Sequence, residues 1–300
     1  MKNCILSLLL ILSFSTSFSQ TPFQGGIYNN TTWTLANSPY VLTGSVVVFP
    51  GKTLTIEPGV EIKVTADNTF NTGNMLYLEV RGSLVAQGTQ NYPIKFTSTQ
   101  ANPSSYNWLG IKIMGSQGGT FSMDHFELTN SFYGLHNDVA EIGVTHTFND
   151  CIFKDNNYAL QLNANNVYNY CTFHRNGIGQ AAQYIYGGLT ASNCVFNNNI
   201  CAFTWVYSPV NVTNCIFNGN TNTINGISGN LTNCTFDNNT NGMYGCSDLI
   251  IDNCTFTNNE VAINELSYGL VKNSYFNGND LALLITQNTS VIDNLIEANG

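Results

Sequence analysis

From residue 149 to the last residue, one short phrase returns about every twenty positions. It reads Asn149-Asp150-Cys151-Ile152-Phe153, then Thr213-Asn214-Cys215-Ile216-Phe217, Thr232-Asn233-Cys234-Thr235-Phe236 and Asp252-Asn253-Cys254-Thr255-Phe256. The Cys column is Cys151, Cys171, Cys194, Cys215, Cys234 and Cys254, continued by Ser274 and Asn294. Two positions on stands a Phe column from Phe153 to Phe276 that ends at Ile296. Three further on is an unbroken Asn column, Asn156 to Asn299. One repeat of this length cannot bury its own apolar face, so a period held in register means a solenoid.

The coil must be built of strands. Cys234 and Phe236 are two apart and share a strand face, with Thr235 on the other. Leu231 lies three before the Cys, which breaks the period of two and demands a corner between them. The corner is Thr232-Asn233, and Asn accepts a left-handed backbone cheaply. Asn193, Asn214, Asn253 and Asn273 hold the same place, while Asp150, Tyr170 and Asp293 depart from it. After each Phe comes an Asn-rich turn, then a small residue before an apolar one, as in Ala159-Leu160, Ala202-Phe203, Gly242-Met243 and Ala262-Ile263. No useful stretch shows an apolar stripe at helical spacing. Three short strands and three turns per coil of about twenty residues describe an all-β, parallel β-helix.

Stacked coils align like residues, so Phe should stack on Phe and Asn should bond amide to amide. That use accounts for 45 Asn residues in 300. In-register thiols keep their Cβ atoms nearly a strand spacing apart, too far for a disulfide. The column is therefore expected as buried free thiols, with no metal, because no CxxC or Cys/His spacing appears. Cys201 and Cys246 lie outside it.

The Asn-Cys-x-Phe-x-x-Asn phrase resembles the right-handed parallel β-helix repeats of pectate-lyase-like proteins. The preceding stretch is similar to the amino-terminal region of secreted Bacteroidetes-type surface β-helix proteins. It carries Leu54-Thr55-Ile56-Glu57-Pro58-Gly59-Val60, Gly82-Ser83-Leu84-Val85-Ala86-Gln87-Gly88-Thr89 and Pro93-Ile94-Lys95-Phe96-Thr97-Ser98. The organisation expected is a signal peptide over 1–19, an N-terminal cap and first coils over 20–120, and regular repeats over 121–300. Residues 20–39 are expected to cap a first coil starting near residue 40. Strands are expected at 46–48, 54–56, 60–64, 76–80, 94–97 and 109–113.

Lys2, the apolar run from Ile5 to Phe14 and Ser17-Phe18-Ser19 have the pattern of a secretory signal. Export would place the protein outside the cell or on its surface, and no segment reads as a membrane-spanning helix. At the other end Val291, Ile292, Leu295 and Ile296 continue the apolar columns with nothing after them, so the chain reads as a fragment whose last coil is exposed. The net charge of −9, with only 9 Lys plus Arg, makes nucleic acid a poor partner. The neutral polar surface of Asn, Thr, Ser and Gly suits polysaccharide or cell-surface glycan.

Function is less determined than fold, since one fold hosts many chemistries. The resemblance implies, for a polysaccharide lyase, an Arg or Lys base with carboxylates holding calcium, and for a glycosidase a cluster of Asp. It implies these groups on the outer face of the strand after the Asn-rich turn, or on neighbouring loops. That row reads His136, Gln161, Thr204, Asn225, Tyr244, Asn264 and Leu284, with no carboxylate and no strong base. The catalytic candidates are instead Lys154 beside His174 and Asp155 beside Arg175, on adjacent coils. A base beside a carboxylate could serve elimination on an acidic polysaccharide; an exposed ion pair is the plainer use. Binding candidates are Tyr184, Tyr186, Trp205, Tyr207, Tyr244 and Tyr268, whose rings could stack on sugars. His125 and His146 have no visible partners. The sequence thus describes an exported structural or adhesive module with polysaccharide as its ligand and no cofactor. The alternative is a lyase or glycosidase acting on an acidic polysaccharide, with calcium in the lyase case.

Overall fold

A single coil shows why the chain turns where it does. In the computed structural model, which describes residues 20–66, 73–185, 187–206 and 208–300, Gly229–Thr232 is a strand. Asn233 then turns the backbone at φ 55° and Thr235–Asp237 forms a second strand. Asn238 turns it again at φ 53°, and Asn241–Tyr244 is the third. Left-handed corners recur at Asn193, Asn214, Asn253 and Asn273 as the sequence predicts. Asp150, Tyr170 and Asp293 adopt the same conformation, so the stacking imposes it on residues that do not prefer it.

About 12 such turns stack in parallel register into three ladders. The first ladder runs from Thr31–Trp33 to Ser290–Ile292, as a 4-stranded and then an 8-stranded sheet. The second carries the Phe column, and the third follows the Asn-rich turn. These two form one 23-stranded sheet, joined through Tyr40–Val48, whose first half pairs with Glu61–Val64 and second half with Tyr77–Val80. The predicted strands between 46 and 113 are all present. The segment expected as a cap is itself a coil: Thr21–Ile27 pairs in parallel with Tyr40–Val48, and Thr31–Trp33 with Thr53–Ile56. Its alternation of apolar and polar residues is enough to make ladder rungs. Helix is limited to two 3-10 turns among the described residues, and none is long and apolar enough to cross a membrane.

The interior is organised by columns. Phe153, Phe173, Phe196, Phe217, Phe236, Phe256 and Phe276 stack with centroids 4.6–5.0 Å apart and planes within 12°. All are buried. From Asn176 to Asn279 each Asn amide donates to the side-chain oxygen of the next coil's Asn and to a Phe carbonyl of the coil before. For Asn239 these are Asn259 Oδ1 at 2.9 Å and Phe217 O at 3.1 Å. The buried turn thus leaves no polar group of the amide unpaired. All eight cysteines among the described residues are free and buried. Each column thiol donates to the carbonyl two residues back, at 3.2–3.5 Å. Contact with the neighbouring column thiols, on both sides of Cys171 and Cys215 and on one side of Cys254, then burial, push these three well up. The column is neutral, because a thiolate in this apolar stack has no cation beside it among the described residues. In the last coil Val291, Ile292, Leu295 and Ile296 are 36–54% exposed.

Candidate functional site

The coils before the regular repeat are longer, and their extra length gathers on one corner. Between the second-ladder strand Ile94–Ser98 and the third-ladder strand Gly110–Ile113 runs a loop fixed by Asn107, whose Oδ1 accepts the Ser104 N–H at 2.8 Å. The loop sets Tyr106 against Phe132, with ring centroids 5.4 Å apart. Phe132 meets Tyr133 edge-on at 4.5 Å, and Tyr133 stacks on its register partner Tyr158 at 5.3 Å. Tyr106 Oη donates to Asn157 Oδ1 at 3.2 Å. All four rings are half-buried, giving a partly open aromatic platform where the second ladder turns into the third. Burial and then Tyr158 hold the Tyr133 hydroxyl above its ordinary range, so it stays a donor.

Next to the platform lies a cleft of about 610 Å³ lined by Pro103, Ser104, Ser105, Lys154, Asp155 and Arg175. Stacking does bring the charged candidates together. Lys154 is in register with His174, and Arg175 grips Asp155 through Nε–Oδ1 at 2.7 Å and Nη2–Oδ2 at 2.8 Å. Lys154 Nζ is 4.0 Å from the same carboxylate. His174 takes a different course, its Nδ1 lying 2.7 Å from Asn197 Oδ1. Asp155 and Arg175 stand at φ 55° and 51°, at the corner where later coils carry Asn198, Asn238 and Asn258 or Gly219 and Gly278. Replacing residues that favour this conformation by an ion pair costs backbone energy. The pair is exposed, so it returns little stability.

On the other flank the third-ladder row differs from its reading in sequence. His136 is in register with Lys112, and Lys112 with Glu79. The row therefore does hold a strong base one coil, and a carboxylate two coils, further back than the sequence count reached. Glu79 is 5% exposed and is held by Arg81 at 2.5 Å and Lys112 at 3.4 Å. Burial, then the Lys112 ammonium, push His136 down to about 4, against the Tyr133 backbone, Asp138 and Glu79. Its ring lies 5.1 Å from Tyr133, and its buried Nδ1 makes no hydrogen bond. A histidine neutral in the fold but near 6.5 when unfolded binds its proton first in the unfolded chain. Stability should therefore fall by about 3 kcal/mol as pH drops from about 6.5 to about 4, and level off below. Urea unfolding of His136→Gln should lack that part of the slope; the same slope in both proteins would refute the assignment.

The sequence missed Tyr106, Phe132, Tyr133 and Tyr158; the signal for them was the aromatic pair Phe132-Tyr133 just before the regular repeat, with Tyr158 in its first coil. Of the aromatics it did select, Tyr244 and Tyr268 are exposed but not in one column. Tyr244 is in register with Asn264, whereas Tyr268 sits at a corner and donates to Gln287 Oε1 at 2.7 Å. Tyr186 and Tyr207 lie outside the described residues, as do the side chains of Tyr184 and Trp205. His125 and His146 have partners after all. His125 bridges Asp124 and Asp150 at 3.4 and 3.3 Å, and His146 contacts Glu141 at 2.6 Å while stacking on Phe121.

Residues 25–146 match the family model of the pectate-lyase like beta helix domain. No curated protein sequence matches the chain. Among solved structures, the A-module of the mannuronan C-5 epimerase AlgE4 from Azotobacter vinelandii is similar. It has 11% sequence identity over 94% of this chain and 89% of that one, with a TM-score of 0.28. The match over the first coils and the parallel strand ladders describe a pectate-lyase-like β-helix domain in residues 25–146, whose second and third ladders run on without a break through the coils that follow.

Proposed function

We propose that this protein is an exported or cell-surface β-helix module that binds polysaccharide at the corner carrying Tyr106, Phe132, Tyr133 and Tyr158. One observation carries the reading: an open aromatic platform stands directly beside a charged, hydroxyl-lined cleft. Aromatic faces stack on sugar rings, while Ser104, Ser105, Lys154, Asp155 and Arg175 offer partners for ring hydroxyls and carboxylates. The signal-like residues 1–19 support export.

Binding to a panel of acidic and neutral polysaccharides, with and without calcium, tests it. Tyr158→Ala should weaken binding about tenfold, the loss of one stacking contact, without unfolding the coil. Unchanged affinity would remove the platform from the site. Lys112 beside a neutral His136, whose ring faces Tyr133, favours one second reading, acid–base chemistry on an acidic sugar. New reducing ends or unsaturated-uronate absorbance in the same assays, abolished in His136→Gln, would establish it.

A further inference from the structure

The Cys column is a set of metal-ligating side chains that the corner site does not use. Cys151, Cys171, Cys194, Cys215, Cys234 and Cys254 are all free and at most 1% exposed. Consecutive coils bond directly at this column, Thr172 N–H to Cys151 O at 2.8 Å, Val195 N–H to Cys171 O at 2.9 Å, and so on to Thr255 N–H on Cys234 O at 2.9 Å. Side chains stacked in this way follow one another at about 4.8 Å, the strand spacing.

That spacing disfavours one kind of metal site and suits another. Zinc takes four ligands in a tetrahedron, or three and a water. A straight ladder offers each gap only two sulfurs, and no group of three or more His, Cys, Asp or Glu among the described residues is arranged to hold a metal. Two sulfurs facing each other along one line are what a soft, two-coordinate ion takes. Two thiolate–metal bonds of about 2.3 Å laid end to end span about 4.6 Å, close to the rise per coil. Thiolate is also the ligand that selects Cu(I).

The backbone is arranged to support charge on these sulfurs. Cys194 N–H donates to Cys215 Sγ at 3.4 Å. The same position repeats the geometry with oxygen, Cys254 N–H to Ser274 Oγ at 3.1 Å and Ser274 N–H to Asn294 Oδ1 at 2.9 Å. A bond of this kind strengthens when its acceptor is ionised. Entry is short, because Cys194, Cys215, Cys234 and Cys254 each follow an exposed corner Asn.

We propose that the Cys column binds a soft, closed-shell monovalent cation of the Cu(I) kind, held two-coordinate between adjacent thiols. For each ion two S–H bonds break, two S–Cu bonds form, and both protons leave to solvent while the metal keeps its oxidation state. The pair and its ion together carry one negative charge. An ion on each side of one sulfur would set two bonds in line there, against the bent bonding of sulfur, so each thiol serves one ion. Cys151 pairs with Cys171, Cys194 with Cys215 and Cys234 with Cys254.

Anaerobic titration of the full, reduced protein with Cu(I) tests this, repeated by refolding with Cu(I) present so that burial cannot hide a site. About three ions per chain are expected, each with two sulfur neighbours by X-ray absorption and about two protons released. Serine suits the column, since Ser274 stands in it and donates to Lys272 O at 2.8 Å. Cys194→Ser with Cys234→Ser leaves one adjacent pair and should bind about one ion. Cys151→Ser with Cys171→Ser removes as many thiols but leaves two adjacent pairs, and should bind about two. Cys4, Cys201 and Cys246 stand outside the column and are common to all three proteins. Equal stoichiometry in the two folded variants overturns the ladder geometry. So do three or more sulfurs around the metal in the unsubstituted protein, a reading that needs no variant. Failure of the refolded protein to retain Cu(I) overturns the site itself.

Discussion

Phe236→Ala should cost about 3–5 kcal/mol, the range for removing a buried aromatic side chain. Phe236 lies between Phe217 and Phe256, at centroid distances of 4.6 and 4.8 Å, and is fully buried. Its removal empties one step of a continuous ring stack, and a backbone locked above and below cannot collapse into the gap. Thr235, one residue earlier, faces outward and is only half-buried. Thr235→Ala should therefore move the urea midpoint little. Equal shifts for the two variants would show that the strand faces are assigned the wrong way round.

A loss of similar size is expected from Asn239→Ala, by a different mechanism. Asn239 Oδ1 accepts both the backbone N–H and the Nδ2 of Asn220, at 2.9 and 3.0 Å, while its own Nδ2 serves Phe217 O and Asn259 Oδ1. Alanine strands a buried N–H and a buried carbonyl, each costing about 1–3 kcal/mol, so about 2–6 kcal/mol in all. Asn238, exposed at the corner, contributes mainly its tolerance of a left-handed backbone. Asn238→Ala should cost about 1 kcal/mol. Hydrogen exchange would place the damage: faster exchange at the Asn220 amide in Asn239→Ala alone is expected. Matching exchange in both variants would mean that water or a shifted neighbour replaces the lost oxygen.

The regular coils were legible because equal spacing lets the eye align residues without a structure. Asn239 and Asn259 are 20 positions apart, and a constant step carries the register from coil to coil. Phe236, Cys234 and Asn239 could thus be assigned to their columns from sequence alone. Earlier coils offer no such step. Thr97 and Thr129 touch across 32 positions, because loops of unequal length intervene. Hence the row through His136 is read forward with one coil, that of Ala181, passed over, and is not read backward to Lys112 and Glu79. The same irregularity hid the aromatic platform, since nothing in the sequence aligns Tyr106 with Tyr158. Lys154, Asp155 and Arg175 were found because they lie just inside the regular region. What they serve depends on the loop at Pro103–Ser105, whose fold over the next rungs no spacing could supply.

The amide column has one further property, which is direction. Every Asn from Asn156 to Asn279 hands one amide proton to the side-chain oxygen of the coil that follows, so this bond repeats from joint to joint. A coil inserted or removed at any of these joints restores the same bonds on both sides. The number of repeats is therefore a length setting, about 4.8 Å per unit, that changes nothing in the coils bearing Tyr133, Lys112 or Lys95. The coils that carry the aromatic platform and the plain repeats after them are independent variables. The second sets the length of the solenoid and leaves the first unchanged.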